Sequence, residues 1–293
     1  MKGRNSFYIV VITVVATLGG LLFGYDTAVI SGADKSIQAF LIEGLGLNSL
    51  AHGATISSAL IGCIIGGSIS GILASKLGRK RTLLLAALLF FVSALGSGNP
   101  EFLFFTKGEP TMGLLYMFNF YRVIGGIGVG LASAVSPMYI GEIAPADIRG
   151  RLVALNQFAI IFGMLVVYFV NWGIASGQSL EWINTIGWRR MFISEAIPAG
   201  LFGVLLFFVP ETPRYLALKN EDEKALNILT KINGAEHAKL IFNDIKQSVQ
   251  SHSGKLFSYG KLVIIIGILL SVFQQFVGIN VALYYAPRLF ESM

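Results

Sequence analysis

The sequence predicts an all-α polytopic membrane protein, on the evidence of its composition, its long apolar runs and the charge of the loops between them. Of its 293 residues, 54% are hydrophobic and 13% are charged, and the mean hydropathy is +0.70. A soluble domain usually carries about a quarter charged residues, so this composition excludes an ordinary globular protein. The net charge of +6 does not indicate nucleic-acid binding, because the basic residues lie in loops between apolar runs.

Seven apolar runs are long enough to cross the hydrocarbon as helices, which need about 20 residues each. They cover 7–32, 53–75, 82–99, 114–140, 152–175, 188–209 and 260–286. The first run is about twice the length of a signal-peptide core and precedes no cleavage site, so it is predicted to be retained. The predicted units are a six-helix half over 1–209, a linker over 210–259 and a seventh helix within 260–293.

Loop charge predicts the orientation of the chain in a membrane. With the N-terminus inside, sixteen Lys and Arg residues lie on the cytoplasmic side and five on the other, or eight against five without the linker and Lys261. This asymmetry predicts a cytoplasmic N-terminus. Within the linker, apolar residues recur at i, i+3 and i+4 between charges, which predicts short amphipathic helices at the cytoplasmic surface.

Three charged residues lie in the interior of predicted spans, away from the span ends: Asp26, Arg122 and Glu195. At about 1.5 Å per residue, they lie about 9, 12 and 10 Å below the outer ends of their helices. A charge that faces lipid costs several kcal/mol, so these side chains are expected to face one another or water. Two interpretations remain open: a structural ion pair that joins helices, or a carboxylate that takes up and releases a proton.

Amides form a second polar set inside the spans, flanked by aromatic residues that include Tyr284. The set consists of Asn156, Gln157, Gln274, Gln275 and Asn280. Amides both donate and accept hydrogen bonds, and aromatic rings cover apolar faces, so the combination suits a ligand with many hydroxyl groups, such as a sugar. The alternative is that these amides join helices to one another by hydrogen bonds.

Seven motifs occur in a fixed order along the chain: GYDTAVISG, KLGRK, RVIGGIGVG, EIAPADIRGRL, GWRRMF, PETPRYL and QQFVGINVALYYAP. In these motifs the sequence resembles the sugar porter family of the major facilitator superfamily, over its whole length. The resemblance implies the N-terminal six-helix half of a major facilitator fold plus helix seven. It also implies a proton-coupled sugar symporter, with D-xylose as the expected sugar, in a bacterial inner membrane.

The resemblance also implies roles for individual residues. Asp26 is the expected proton carrier, Arg122 its partner and Glu195 a coupling residue. Hydrogen bonds to the sugar are expected from Gln157, Gln274, Gln275 and Asn280, with Tyr284 nearby. An inner gate of charge pairs is expected from Arg79, Glu142, Arg149, Glu211 and Arg214, although these residues could also serve only as topology signals.

Departures from the family pattern qualify the expected activity. Ser75 stands where many members have Asp, and Met164 stands where xylose symporters have Gln, which leaves the choice between a pentose and a hexose open. The fold needs two six-helix halves around a midplane site, so this chain alone is expected to be inactive. A sugar uniporter and a sensor that binds sugar without moving it are the alternatives.

An enzyme is not predicted, because the sequence shows no nucleophile and base pair, no metal-ligand spacing and no phosphate-binding loop. Accordingly, no cofactor and no metal is expected. The expected partners are a monosaccharide, a proton and the lipid bilayer, without nucleic acid.

Overall fold

The computed structural model describes residues 5–102, 108–251 and 261–285, in which all regular secondary structure is helical. The α-helices in chain order are α1 Ser6–Ile37, α2 Ser49–Leu77, α3 Arg79–Gly98, α4 Met112–Ile143, α5 Arg149–Ala175, α6 Leu180–Trp182, α7 Trp188–Ser194, α8 Ala196–Phe208, α9 Pro213–Leu218, α10 Asp222–Asn233, α11 Ala235–Ser251, α12 Lys261–Phe276 and α13 Ile279–Tyr284. Two π-helical segments, Gln38–Glu43 and Ile183–Gly187, follow α1 and precede α7.

Seven helical stretches among the described residues are long and apolar enough to cross a membrane. The all-α fold with seven spans is therefore confirmed. The sixth span is composite, because it runs from Leu180 to Phe208 and is interrupted at Glu195. Parts of the predicted linker and of the predicted seventh-helix segment, 252–260 and 286–293, lie outside the described residues.

The first span continues farther than the apolar run that predicts it. The run ends at residue 32, whereas helical structure extends through Asp34 and Lys35 to Glu43. The carboxylate of Asp34 is only 2% exposed and lies 2.9 Å from Nε2 of His52 on α2. Because this charge has a partner on a neighbouring helix, it does not have to reach solvent and does not end α1.

Helices α1 and α4 form the centre of the bundle. α4 packs against α1, α2, α3 and α5, and α1 also contacts α5, α7 and α8. Two apolar clusters fill the interior. One includes Phe90, Tyr139 and Phe202, and the other includes Phe118 and Trp188. Along α1, the first cluster ends near residue 22 and the second begins at residue 25, so Asp26 lies close to the boundary between them.

Small residues recur at helical spacing in the second span, in the run LIGCIIGGSISG over 60–71, and they allow α2 and α4 to approach each other closely. A Cβ atom added to Gly66 would lie well inside van der Waals distance of the carbonyl oxygen of Ile127 on α4. The neighbouring Gly67 is exposed, and a Cβ atom there would meet nothing within 4 Å. Only one face of the small-residue pattern therefore serves helix packing.

The linker contains the predicted helices. Thr212 caps α9 by accepting a hydrogen bond from the backbone N–H of Tyr215, and Pro213 occupies the first turn, where its missing donor costs nothing. α10 buries Ala225, Leu229 and Ile232 on one face and ends at Gly234, whose φ of +82° is accessible to glycine.

We expect Gly66→Ala to destabilise the protein by about 1–3 kcal/mol, because the backbones of α2 and α4 must separate to admit the methyl group. Gly67→Ala makes the same chemical change one residue away and is expected to stay within about 1 kcal/mol of the wild type. Thermal unfolding of the two purified variants in detergent measures the difference. Equal stability of the two variants would contradict close helix contact at Gly66.

Candidate functional site

The two charged residues that the sequence places at one depth on α1 and α4 form a buried ion pair. Nη1 of Arg122 donates to Oδ1 of Asp26 at 2.6 Å, and Nη2 lies 3.4 Å from the Asp26 backbone carbonyl oxygen. Each residue is 1% exposed. The guanidinium also lies 5.3 Å from the centre of the Phe192 ring, within the range of a cation–π interaction. The pair thus joins α1 and α4 in the apolar interior.

Gly125 of α4 leaves room for the carboxylate of Asp26 on α1. A Cβ atom at Gly125 would lie 3.4 Å from Oδ1 of Asp26 and far too close to the Ser93 hydroxyl of α3. One turn of helix from Gly125, Arg122 extends its side chain toward the same carboxylate. A larger residue at 125 would therefore separate α4 from both α1 and α3.

Glu195 is the third member of the charged cluster, and it lies at the break between α7 and α8. Its side chain is 0% exposed. Its electrostatic neighbours are Asp26 and Arg122. Next to it in the chain, the Ser194 hydroxyl lies 2.8 Å from that of Tyr25 on α1. The sixth span is thereby held against the ion pair.

This arrangement places two carboxylates beside one guanidinium. One arginine neutralises one carboxylate, and a second buried carboxylate carries an uncompensated charge unless it binds a proton. The chemistry available to the cluster is therefore uptake and release of a proton, with Arg122 as the fixed charge, because a guanidinium keeps its proton in proteins.

A second charge network lies at the other end of the bundle, where α2 and α3 meet the start of the linker. Nη2 of Arg79 donates to Glu142 at 2.7 Å, and the Thr212 hydroxyl donates to the other Glu142 oxygen at 2.6 Å. Glu211 accepts from the backbone N–H groups of Arg79 and Lys80, each at 3.1 Å. Three of the five predicted gate residues thus meet directly.

Glycine at position 78 makes the contact of Glu211 with α3 possible. Gly78 has φ +94°, which favours glycine, and a Cβ atom there would collide with the Glu211 carboxylate. Burial raises the pKa of Glu211, while backbone hydrogen bonds from Thr212, Lys80 and Arg79 oppose the rise.

The remaining two predicted gate residues, Arg149 and Arg214, line one cavity together with Glu142. The Arg149 guanidinium reaches the Ala144 carbonyl oxygen at 3.4 Å through both Nε and Nη2.

The predicted sugar-binding residues lie on three helices. Gln157 on α5 is exposed, as are Gln274 and Gln275 on α12. The side chain of Asn280 lies outside the described residues. Tyr284 on α13 is buried in the apolar cluster that includes Phe118 and Trp188, within electrostatic range of Arg122 and Asp26. α13 packs on α1, so the end of the seventh span lies beside the charged cluster. Asn156 instead packs against Gly20 of α1, apart from Gln157.

Two further buried charge pairs were missed by sequence reasoning. Nη1 of Arg189 donates to Glu101 at 2.6 Å, with the guanidinium 4.4 Å from the Trp188 ring centre. Asp34 and His52 form the other pair. Glu101 follows Pro100 in what reads as a loop, so the only available signal was the position of Arg189 beside a tryptophan.

The chain belongs to the sugar transporter family, since the family model described as "Sugar (and other) transporter" matches residues 12–293. It is 52% identical to the D-xylose-proton symporter of Escherichia coli K12, over 99% of this chain and 62% of that protein. It is 42% identical to the glucose transport protein of Synechocystis, over 99% of this chain and 61% of that protein. The chain thus spans about three fifths of the length of these relatives. They are transporters rather than enzymes.

Solved structures give the same fold. The proton:xylose symporter XylE bound to 6-bromo-6-deoxy-D-glucose, a major facilitator superfamily protein, superposes with a TM-score of 0.92 at 50% identity. The match covers 99% of this chain and 64% of that one. The protein is therefore a multi-pass membrane protein with the major facilitator fold.

We expect Arg122→Gln to destabilise the protein by about 3–5 kcal/mol, because it leaves two buried carboxylates without a cation. Asp26→Asn is expected to cost less, since Glu195 remains beside the guanidinium, and the double variant is expected to cost less than the sum of the two. Chemical unfolding in a double-mutant cycle measures the coupling. Arg190→Gln, on exposed α7 surface, is the control and should change stability by no more than about 1 kcal/mol. Additive losses would contradict the pairing.

We expect Glu211 to stabilise the fold less as pH rises. A carboxyl whose pKa is raised in the folded state holds its proton more tightly there, so its contribution is complete below the unfolded-state pKa. It is lost as pH rises through the folded-state pKa. The free energy of unfolding of the wild type minus that of Glu211→Gln should therefore fall across this window. Glu223→Gln, an exposed change on α10, is the control. A difference that rises with pH would contradict the burial effect.

Proposed function

We propose that the protein is a proton-coupled sugar symporter for D-xylose, and that this chain supplies its proton-coupling half. The observation that carries the proposal is the buried cluster in which Arg122 pairs with Asp26 at 2.6 Å while the Glu195 carboxylate lies beside both. An intramembrane carboxylate is costly to keep, and a proton is the charge that it can exchange. The identity of 52% to a D-xylose-proton symporter supports the assignment.

In the proposed cycle, Asp26 takes up a proton from the periplasmic side and its bond to Arg122 loosens. Glu195 then becomes the carboxylate that remains available to the guanidinium, so the arginine is not left without a partner. This exchange of partners moves α7 and α8 relative to α1, because Glu195 lies at the junction of the two helices. The change in charge thereby becomes a change in helix position.

The sugar site is proposed to consist of Gln157, Gln274, Gln275 and Asn280, with Tyr284 at its edge. Gln157, Gln274 and Gln275 have exposed side chains, which a ligand or further protein can cover. Tyr284 lies within electrostatic range of Arg122 and Asp26. A sugar in contact with this tyrosine would therefore be close to the groups that bind the proton.

The inner gate is proposed to be the network around Arg79 and Glu142, with Glu211, Arg149 and Arg214 around it. Ion pairs at a gate either meet or are hydrated, which gives two discrete states. In the proposed orientation the N-terminus and this network lie on the cytoplasmic side of a bacterial inner membrane. Sugar and proton leave inward when the pairs separate.

A sugar uniporter is the second candidate. It is favoured by the 42% identity to a protein named a glucose transport protein, a name that mentions no proton. In that case Asp26 would serve only as the structural partner of Arg122.

Transport in proteoliposomes tests the proposal. The chain is continued after Met293 with the corresponding C-terminal part of the E. coli D-xylose-proton symporter, and the chain alone is measured in parallel. We expect xylose addition to make the external medium more alkaline. With one proton per sugar, a gradient of about one pH unit sustains about tenfold accumulation. Asp26→Asn should retain exchange and lose accumulation, whereas Asp222→Asn, a charge outside the spans, should retain both.

Two outcomes would overturn the assignment. Xylose movement without alkalinisation would establish the uniporter instead. Accumulation by the Asp26→Asn variant would remove Asp26 from the proton pathway.

A further inference from the structure

A basic cavity of about 860 Å³ opens where the start of α3 and the end of α8 meet α9 and α10. Five cationic side chains line it: Lys80, Arg81, Lys219, Lys224 and Lys231. The two carboxylates in its wall are Glu211 and Glu221. The formal net charge of the lining is therefore +3, and the cavity favours an anion.

The carboxylates in the wall are already engaged. Glu211 accepts from two backbone N–H groups, and Glu221 pairs with Lys224 at 2.6 Å. Arg81 and Lys231 are exposed and form no ion pair with any residue that the structure describes. These two cations remain available to a ligand from outside the chain.

An apolar groove of about 410 Å³ adjoins the cavity and runs between α3 and α8. Leu84 and Phe207 line both spaces, so the groove continues directly from the basic cavity. Cβ atoms at Gly200 and Gly203 would project into the groove at ordinary contact distance, 3.6 Å from Phe91 and 3.7 Å from Ala87, so the glycines leave this volume empty. From Leu84 to Phe91 the groove extends about 10 Å, a large part of one leaflet of about 15 Å.

We propose that the cavity and the groove together bind one anionic phospholipid. Its phosphate-bearing headgroup lies among the cations, and one acyl chain lies between α3 and α8. Basic pockets at the cytoplasmic ends of membrane helices suit such headgroups. A free phosphate would use the cavity alone, and a neutral apolar molecule would use the groove alone. A phospholipid fits because its charged and apolar parts are joined in the same order as the two spaces. This inference goes beyond the proposed transport function, although the cavity wall shares Glu211 with the proposed inner gate.

Lipid binding to the purified full chain in detergent, followed by native mass spectrometry, tests the proposal. Dioleoyl phosphatidylglycerol is the probe, and dioleoyl phosphatidylcholine is the zwitterionic comparison. We expect phosphatidylglycerol to bind about tenfold more tightly than phosphatidylcholine. The double variant R81Q/K231Q should lower its affinity about 25-fold, at about fivefold for each charge. The matched control R151Q/K239Q removes two exposed cations from other helices and should change affinity less than about twofold.

The groove is tested separately with Gly203→Leu, which fills the acyl space. It should weaken binding of phosphatidylglycerol about tenfold and leave binding of glycerophosphate, which has no acyl chain, unchanged. Gly203→Ala is the second variant should the larger side chain prevent folding, and the effect is expected in the same direction.

Three results would overturn the proposal. R81Q/K231Q could behave like the control, which would remove the headgroup site. Glycerophosphate or inorganic phosphate could bind as tightly as the lipid, which would reduce the site to one for a free anion. Phosphatidylglycerol could bind the folded Gly203 variants as it binds the wild type, which would separate the groove from the cavity.

Discussion

The bond between Arg122 and Asp26 is the constraint on which the rest of the bundle depends. A guanidinium that keeps its charge cannot be buried without an anion, so α1 and α4 must be neighbours at this level. Gly125 provides the space, and Phe192 of α7 covers the cation at 5.3 Å. One polar contact thereby fixes how the first, fourth and sixth spans lie against one another, which apolar packing alone would leave free to slide.

Glu195 distinguishes this cluster from a simple structural ion pair. A stabilising ion pair needs one acid, and the structure supplies two beside one base. The second acid lies where α7 meets α8 in the sixth span. Under the proposed function, a change in the charge of the cluster would act at this junction.

Much of this could be predicted from the sequence, because bilayer thickness and the cost of buried charge leave few choices. The length of the apolar runs predicts the seven spans, and the common depth of Asp26, Arg122 and Glu195 predicts that their side chains lie together. Apart from the gate residues that the family resemblance implies, contacts between loops and helix ends could not be predicted. Glu101 reads as a loop residue until its bond to Arg189 is seen. The depth of a residue along a helix also does not tell which way the helix is rotated about its axis. The sequence therefore could not assign Gln157 and Asn156 to different faces of α5.

Residues 210–215 are attached to the bundle, and this attachment limits the length of chain that is left to connect the sixth span to the seventh. The Tyr139 hydroxyl bonds to the Pro210 carbonyl oxygen at 2.7 Å, and the Tyr215 hydroxyl bonds to that of Lys76 at 2.9 Å. Between them, Glu211 and Thr212 are held by Arg79 and Glu142. The chain after α8 is thus bound to its own half, and α10 continues the attachment by packing on α9 and α1 and burying Ile232 in the core. If the bonds of this network separated, a longer stretch of chain would connect the sixth and seventh spans. The seventh span could then move farther from the first six.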